Sequence, residues 1–256
     1  MKRVFSAVLL AALVLQPGSG DARSLESIKD RGSLGVCAHP NALPYSSRKN
    51  EPHGFQLELA GELAKALGVS LNPEWIVGGV HRYRADCDII MDAIDVPEVQ
   101  SKSRLELSRP YYHTGVVLAV RRGSPIKGWQ DLSSQNKVGV LVGSYAAMVL
   151  GRHHVGISTF AFEDDSLDSL AKGEVDAVTV NYVSASYYNG THPGSPIELL
   201  GFDEAEPSLA WNAAVGMRQP DADLHRAIDA ALARLAADGT IARIYGHYGI
   251  TVQPPK

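Results

Sequence analysis

The sequence predicts an α/β fold of two lobes, each a mainly parallel sheet flanked by helices, and a pattern used twice carries that prediction. An acidic residue opens a short apolar run that ends in small and polar residues: Asp86-Cys-Asp-Ile-Ile-Met-Asp-Ala-Ile-Asp95 first, then Glu174-Val-Asp-Ala-Val-Thr-Val-Asn181. Each run follows an amphipathic helical pattern. Neither alternates strictly, so both read as strands covered on two faces, as in parallel sheets. Such sheets place ligand sites at the carboxyl ends of their strands, and two such ends in two lobes predict a cleft that takes a small molecule.

The elements follow in order. Leu25 to Arg31 reads as a short helix, Leu34 to Ala38 as the first strand, and Pro40 to His53 as a polar loop. Phe55, Leu59, Leu63 and Leu67 recur every fourth residue, which predicts a helix, and Gly68 supplies a left-handed stop. Val69 to Ile76 is the second strand and Cys87 to Met91 the third, while Gly78 to Arg84 is too short for a helix. Val116 to Val120 forms a strand leading into Arg121-Arg-Gly-Ser-Pro125, a shift of composition that reads as the first hinge.

In the second lobe Val138 to Val142 is a strand, and Gly143-Ser-Tyr-Ala-Ala-Met148 turns it into a helix whose free backbone N–H groups point at the cleft. Leu167, Leu170 and Ala171 mark a helix that ends at Gly173, and the chain crosses back near Trp211 to Met217. Asp221 caps a helix whose core stripe is Leu224, Ile228, Ala231, Leu232 and Leu235; Gly239 ends it, and Ile241 and Ile244 serve a last helix. The expected division is residues 23–119 plus 216–256 for one lobe and 120–215 for the other.

Residues 1–22 stand outside both lobes. Lys2 and Arg3 precede an apolar run from Val4 to Leu15, and Pro17, Gly18, Gly20 and Ala22 offer a cleavage site, the pattern of a secretory signal peptide. The run falls short of the roughly 20 apolar residues of a membrane span, so an exported protein without a membrane anchor is expected. A net charge of -4 with scattered Lys and Arg residues argues against nucleic acid as a partner.

An exported protein lives where thiols oxidise, so the two cysteines, Cys37 and Cys87, are expected to form a disulfide. Closing that loop stabilises by roughly 4 kcal/mol on chain entropy. A metal site from Cys37, His39 and Cys87 is the alternative, although the spacing fits no common zinc pattern.

Six stretches in order then resemble one family: Gly54-Phe55 ahead of a helix ending Leu67-Gly68, Cys87-Asp-Ile-Ile-Met91, Leu107-Ser-Arg-Pro-Tyr-Tyr112, Val138-Gly-Val140, Gly173-Glu-Val-Asp-Ala-Val178 and Asp238-Gly-Thr-Ile-Ala-Arg-Ile-Tyr245. Together they are similar to the bacterial extracellular solute-binding proteins of family 3. The resemblance implies a periplasmic protein of the two-lobed periplasmic binding protein-like fold with two hinge crossovers. It implies closure over a small polar ligand and delivery to the membrane subunits of an ABC transporter.

In the typical amino-acid receptor of that family an arginine after a Pro-Glu pair grips the ligand carboxylate. Here Pro97-Glu98 is followed by Val99 and Gln100, and counting back from Ser108-Arg-Pro110 lands on Ser101, so no placement gives arginine. Lys102 or Arg104 is the substitute to consider. The family's aspartate for the ligand ammonium appears as Asn181. Losing one partner of a desolvated charge pair costs about 2 to 5 kcal/mol, so a free α-amino acid is expected to bind poorly.

By position, the ligand-binding candidates are Asn41 and Tyr45 after the first strand, Asp92 and Asp95 after the third, Ser144 and Tyr145 at the helix start of the second lobe, and Asn181 and Tyr182 opposite. Each also has an ordinary role, since Asn and Asp bond their own backbone in turns. Asp92, Asp95 and Asn181 make the cleft acidic or neutral, which favours a cation or a polyhydroxyl compound over an anion. No Ser-His-Asp or Cys-His pattern is present, so a non-catalytic protein without cofactor or metal is expected.

A narrower likeness points elsewhere. Val36-Cys-Ala-His-Pro-Asn-Ala-Leu-Pro-Tyr-Ser46, with Cys87-Asp88, is similar to the solute-binding-like accessory proteins of periplasmic quinoprotein alcohol (methanol) dehydrogenases, although the stretch from Trp75 to Ala85 is shorter here. That likeness implies a dehydrogenase as partner in place of a transporter.

Overall fold

The structure, a computed structural model, describes residues 23–49, 51–77, 86–97, 105–194, 197–202, 207–218 and 220–256. The signal-peptide expectation for 1–22, the short stretch from Gly78 to Arg84, and the clamp positions Glu98 to Arg104 lie outside the described residues.

The first lobe starts with α1 (Leu25–Arg31), β1 (Ser33–Ala38), a two-residue hairpin of β2 (Asn41–Ala42) and β3 (Ser46–Ser47), α2 (Phe55–Leu67) and β4 (Ser70–Trp75). Next come β5 (Ile89–Asp95), β6 (Glu106–Leu107) and the long β7 (Tyr112–Arg121). The second lobe holds β8 (Lys137–Leu141), α3 (Tyr145–Arg152), β9 (Gly156–Phe160), α4 (Glu163–Lys172), β10 (Ala177–Asn181), α5 (Tyr182–Thr191) and β11 (Ile197–Phe202). Then β12 (Ala210–Met217), α6 (Ala222–Ala237) and α7 (Thr240–Gly246) return to the first lobe.

The strands run in the order β4-β1-β5-β12-β7-β10-β8-β9, with β11 on β7 and β6 on β12. Pairing is parallel for β4-β1-β5 and for β10-β8-β9, but antiparallel wherever β7 or β12 takes part. Each lobe is therefore a mixed sheet rather than a purely parallel one.

The change of lobe happens inside β7, whose Tyr112 to Gly115 pair with β12 and whose Val116 to Arg121 pair with β10 and β11. The expected lobe limits, 119/120 and 215/216, fall in these same two strands, β7 and β12, downstream of where pairing changes. Arg121 to Pro125, read from composition as the hinge, is the turn that follows β7 instead. Gly115 marks the crossing: a Cβ there would stand 2.7 Å from the Cα of Ala210 and collide with the Leu209 carbonyl, so only glycine lets the two return strands approach.

Both faces of β7 are covered, which explains its unbroken apolar run. Val117 and Ala119 join a core with Leu167, Leu170 and Tyr188 of α4 and α5, while Leu118 and Val120 join a second core with Val138, Val140 and Leu150. The first lobe has one larger core. Phe55, Leu59 and Leu63 of α2 meet Leu224, Ile228 and Leu232 of α6 and Ile244 and Tyr245 of α7. Asp221 caps α6 through the Leu224 N–H at 2.8 Å and also receives the Leu25 N–H, tying α1 to the same corner.

Cys37 and Cys87 form the expected disulfide across a sequence separation of 50, with Cα atoms 5.3 Å apart. It joins β1 to the segment entering β5. Next to it Asp88, 1% exposed, accepts the Gly35 N–H at 2.7 Å and the Arg31 guanidinium at 2.8 Å.

Candidate ligand-binding site

The loop after β1 is held by the start of α2. No side chain caps this helix, and the N–H groups of Phe55 and Gln56 are taken by the carbonyls of Pro44 and Tyr45, each at 3.0 Å. Gly54 permits this: it sits at φ +98°, and a Cβ would lie 2.6 Å from the Ser46 Cα. The Tyr45 ring then rests on Phe55, centroids 5.2 Å apart. Burial and then the Glu163 carboxylate raise the Tyr45 phenol far above its ordinary pKa, against a hydrogen bond with Ser184. Glu163 and Ser184 belong to the second lobe, so Tyr45 reaches across the cleft.

Asp92 owes its position to a β-bulge. Ala93 pairs with Ala214 and Ile90 with Gly216, which leaves Met91 and Asp92 together opposite Val215 and puts Asp92 at φ +55°. Its carboxylate receives Gln56 Nε2 at 2.6 Å, the Tyr111 hydroxyl at 2.6 Å and the Tyr245 hydroxyl at 3.3 Å. Burial nevertheless wins and holds the Asp92 carboxyl above the ordinary carboxylate range. The phenols of Tyr111, Tyr112 and Tyr245 are raised as well, by burial first and then by the Asp92 charge.

In the second lobe Ser144 caps α3, its hydroxyl accepting the Ala147 N–H at 3.2 Å. The Tyr145 hydroxyl accepts from Ser208 Oγ at 3.3 Å and the ring is 44% exposed. At the end of β10 the Asn181 N–H donates to Glu163 Oε1 at 2.9 Å. The Tyr182 hydroxyl donates to the Thr251 carbonyl at 3.1 Å.

Of the eight residues named from the sequence, Tyr45 lies within electrostatic reach of Asp92 on one side and of Glu163 on the other, and Asn181 joins them through that glutamate. The other five stand apart from that contact or are engaged elsewhere, Ser144 as the cap of α3. Asn41 is exposed on the hairpin opposite Ser47, Asp95 is exposed opposite Asn212, Tyr145 meets Ser208, and Tyr182 serves the C-terminal segment. Sequence reasoning missed Gln56, Glu163 and Ser184, as well as the carboxylate-binding role of Tyr111, Tyr112 and Tyr245. Glu163 was hidden because an acidic triple, Glu163-Asp-Asp165, reads as ordinary complement to a helix N-terminus.

A separate cavity of about 260 Å3 opens among Arg121 to Ile126, Asn136 and Asp176. It lies at the opposite end of β10 from Asn181 and shares no residue with the cluster around Tyr45.

Two lobes, two return strands and side chains converging from both lobes on one tyrosine define a bilobal ligand-binding fold. The chain belongs to the bacterial extracellular solute-binding proteins, family 3, whose profile it matches over residues 34–251. It is 28% identical to the L-cystine-binding protein TcyJ of Escherichia coli, over 92% of this chain and 89% of that protein. It is 29% identical to the membrane-bound lytic murein transglycosylase F of Yersinia pestis, over 94% of this chain but 52% of the enzyme. Among solved structures, an ancestral cationic amino acid solute binding protein superposes with a TM-score of 0.73 at 23% identity, covering 88% of this chain and 99% of that one. The unliganded, open L-cystine solute receptor of Neisseria gonorrhoeae gives 0.73 at 17% identity, covering 91% and 99%. These two likenesses concern the fold.

Among the described residues no helix is long and apolar enough to cross a membrane.

Proposed function

We propose that this protein is a periplasmic, non-catalytic receptor that presents a small polar ligand carrying a cationic group to the membrane subunits of an ABC transporter. The observation that carries this reading is a carboxylate from each lobe: Asp92, held by Gln56, Tyr111 and Tyr245, and Glu163, held by the Asn181 N–H at the end of β10, with both charges felt at Tyr45. Two negative groups facing one position in a partly dehydrated cleft favour a positive guest and disfavour an anion. The relatives support the transporter side of the reading, since they include an L-cystine-binding protein and an L-cystine solute receptor.

The sequence adds a restriction. No arginine follows Pro97-Glu98, so the guest's carboxylate, if present, lacks the usual bidentate partner at that point.

The test is a melting screen with L-arginine, L-lysine, L-cystine and L-glutamate as probes. A ligand at a hundred times its dissociation constant stabilises by about 2.7 kcal/mol. Stabilisation by L-arginine or L-lysine and none by L-glutamate is expected. Stabilisation by L-glutamate alone overturns the reading, and so does a flat response to all four.

One observation favours a second reading, that of an accessory protein of a quinoprotein dehydrogenase. Val142, Met148 and Phe162 are 63%, 52% and 68% exposed beside the start of α3 and α4, an apolar rim suited to docking on another protein. None of the relatives named above has such a role, so the transporter reading stands first. Co-purification with a periplasmic dehydrogenase, in a protein whose melting responds to no probe, would put the second reading ahead.

A further inference from the structure

We infer that the segment from Tyr248 to Lys256 is a strap that holds the two lobes in their present arrangement, and that Tyr182, a ligand candidate by sequence, is its catch on the second lobe. The strap needs no bound molecule. It rests on the receptor reading above only for its effect on affinity.

The strap is rooted in the first lobe. Tyr248 and Ile250 are buried in that core, and the Tyr248 hydroxyl donates to Glu58 Oε1 at 2.6 Å and accepts the Gly54 N–H at 2.8 Å. From there the segment meets both return strands. The Gln253 carbonyl accepts the His113 N–H of β7 at 2.8 Å. The Asn212 side chain of β12 takes both backbone groups of Lys256, Nδ2 donating to the carbonyl at 2.8 Å and Oδ1 accepting the N–H at 3.1 Å. His113 and Asn212 pair with each other next to the crossing, where Gly115 pairs with Ala210. A rotation of the lobes turns on a few residues of these two strands, so the strap is bonded beside the hinge itself.

Helix α5 of the second lobe lies along the same segment. The Tyr187 ring stands 6.2 Å from that of Tyr248, and Val183 and Tyr187 pack into the first lobe's core. Gly249, at φ +73°, comes so near α5 that a Cβ on it would stand 3.4 Å from the Ser186 carbonyl oxygen and 3.6 Å from the Gly190 Cα. The Tyr182 hydroxyl completes the contact by donating to the Thr251 carbonyl at 3.1 Å. One segment is thereby fixed to both hinge strands and to a helix of the opposite lobe. These contacts hold only while α5 stays against the strap, so they favour the arrangement in which Tyr45 reaches across the cleft, and an opening rotation has to break them.

The experiment measures the distance between the lobes in the ligand-free protein by pulsed electron resonance. Spin labels go on Lys65→Cys of α2 and Lys172→Cys of α4, both exposed, while the two native cysteines stay tied in their disulfide. The labelled parent is compared with Tyr182→Phe, which keeps the ring and loses the hydroxyl, and with Tyr182→Phe/Tyr187→Ala. The ratio of long to short distances is expected to rise about fivefold in Tyr182→Phe, and further in the double variant, with little change in melting temperature. Affinity for L-arginine should weaken by up to the same factor. Unchanged distances in both variants overturn the inference. So does a fall in melting temperature without a change in distance, which marks a merely structural contact. If the double variant fails to fold, Tyr182→Phe decides alone. A parent protein that binds no probe of the panel overturns the receptor reading, and the ligand-free distances still decide on the strap.

Discussion

The two lobes are built to different standards of rigidity. The first closes one large core beneath four helices, staples β1 to the entry of β5 with a disulfide, and buries Asp88 under two arginines and a backbone N–H. The second divides its core into two smaller clusters on either face of β7 and leaves Val142, Met148 and Phe162 in solvent. Recognition groups follow the same division. Asp92 is fixed in a bulge by two phenols and an amide, while Glu163, Ser144 and Asn181 sit at helix starts and a strand end with one or two hydrogen bonds each. A receptor that closes needs one preformed half-site and one half that can adapt to the guest.

The contrast is tested most severely by removing the staple. Replacing Cys37 and Cys87 with serine releases a loop spanning 50 residues and should cost about 4 kcal/mol on chain entropy. Lobe-resolved hydrogen exchange should then show β1, β4 and β5 losing protection while β8 to β10 keep theirs. Equal loss in both lobes would mean that the molecule unfolds as one unit and that the difference in rigidity is only apparent.

Next in size is Asp88→Ala. The carboxylate is almost wholly enclosed and serves the Gly35 N–H together with the partly exposed guanidinium groups of Arg31 and Arg23, so its removal strands one buried donor and loosens two surface cations. A destabilisation of about 2 kcal/mol is expected in denaturant titration, again read in the first lobe. A cost below about 1 kcal/mol would mean that water satisfies those partners and that the staple alone organises this corner.

How much of this was legible in the sequence depends on the range over which each signal acts. The helix ends at Gly68 and Gly173 were readable because a left-handed glycine is a local mark, and both adopt it, at φ 78°. The disulfide was readable from compartment chemistry. The change of strand partners was hard to read for a physical reason: it occurs within an apolar strand covered on both faces, where composition does not change, and Gly115 marks it. Tyr45 and Asp92 were named because the sequence placed them just after strand ends, yet Asp92 lies inside β5, at its bulge. Their partners Gln56, Glu163 and Tyr245 come from helices distant in the chain, and no spacing links them.

In the second lobe the comparable device is a single helix cap, and its smaller effect measures the difference. Ser144→Ala removes the acceptor of the Ala147 N–H and should cost about 1 kcal/mol, seen as fraying of α3 in hydrogen exchange and as weaker ligand binding. A cost as large as that of Asp88→Ala would show that the second lobe also depends on one buried polar contact.

The smallest effect should have the opposite sign, and it separates a half-site built for stability from one built for binding. The Asp92 carboxyl is raised above its ordinary value of 3.8, chiefly by burial. The folded protein therefore holds that proton more tightly than the unfolded chain does. The stabilising contribution is complete below 3.8 and is lost as pH rises through the folded value, so at neutral pH the ionised group works against folding. Asparagine tolerates the φ of +55°, its carbonyl can accept from Tyr111 and Tyr245, and its amide can donate to Gln56 once that side chain turns over. Asp92→Asn should accordingly raise neutral-pH stability by an amount on the order of 1 kcal/mol, with the gain shrinking as pH falls toward 3.8. The same variant should bind L-arginine more weakly, because the first lobe's negative charge is gone. A melting temperature that falls at neutral pH, with its pH slope unchanged, would show that the phenols already satisfy the anion and that Asp92 is a structural post rather than a charge held in reserve for the guest.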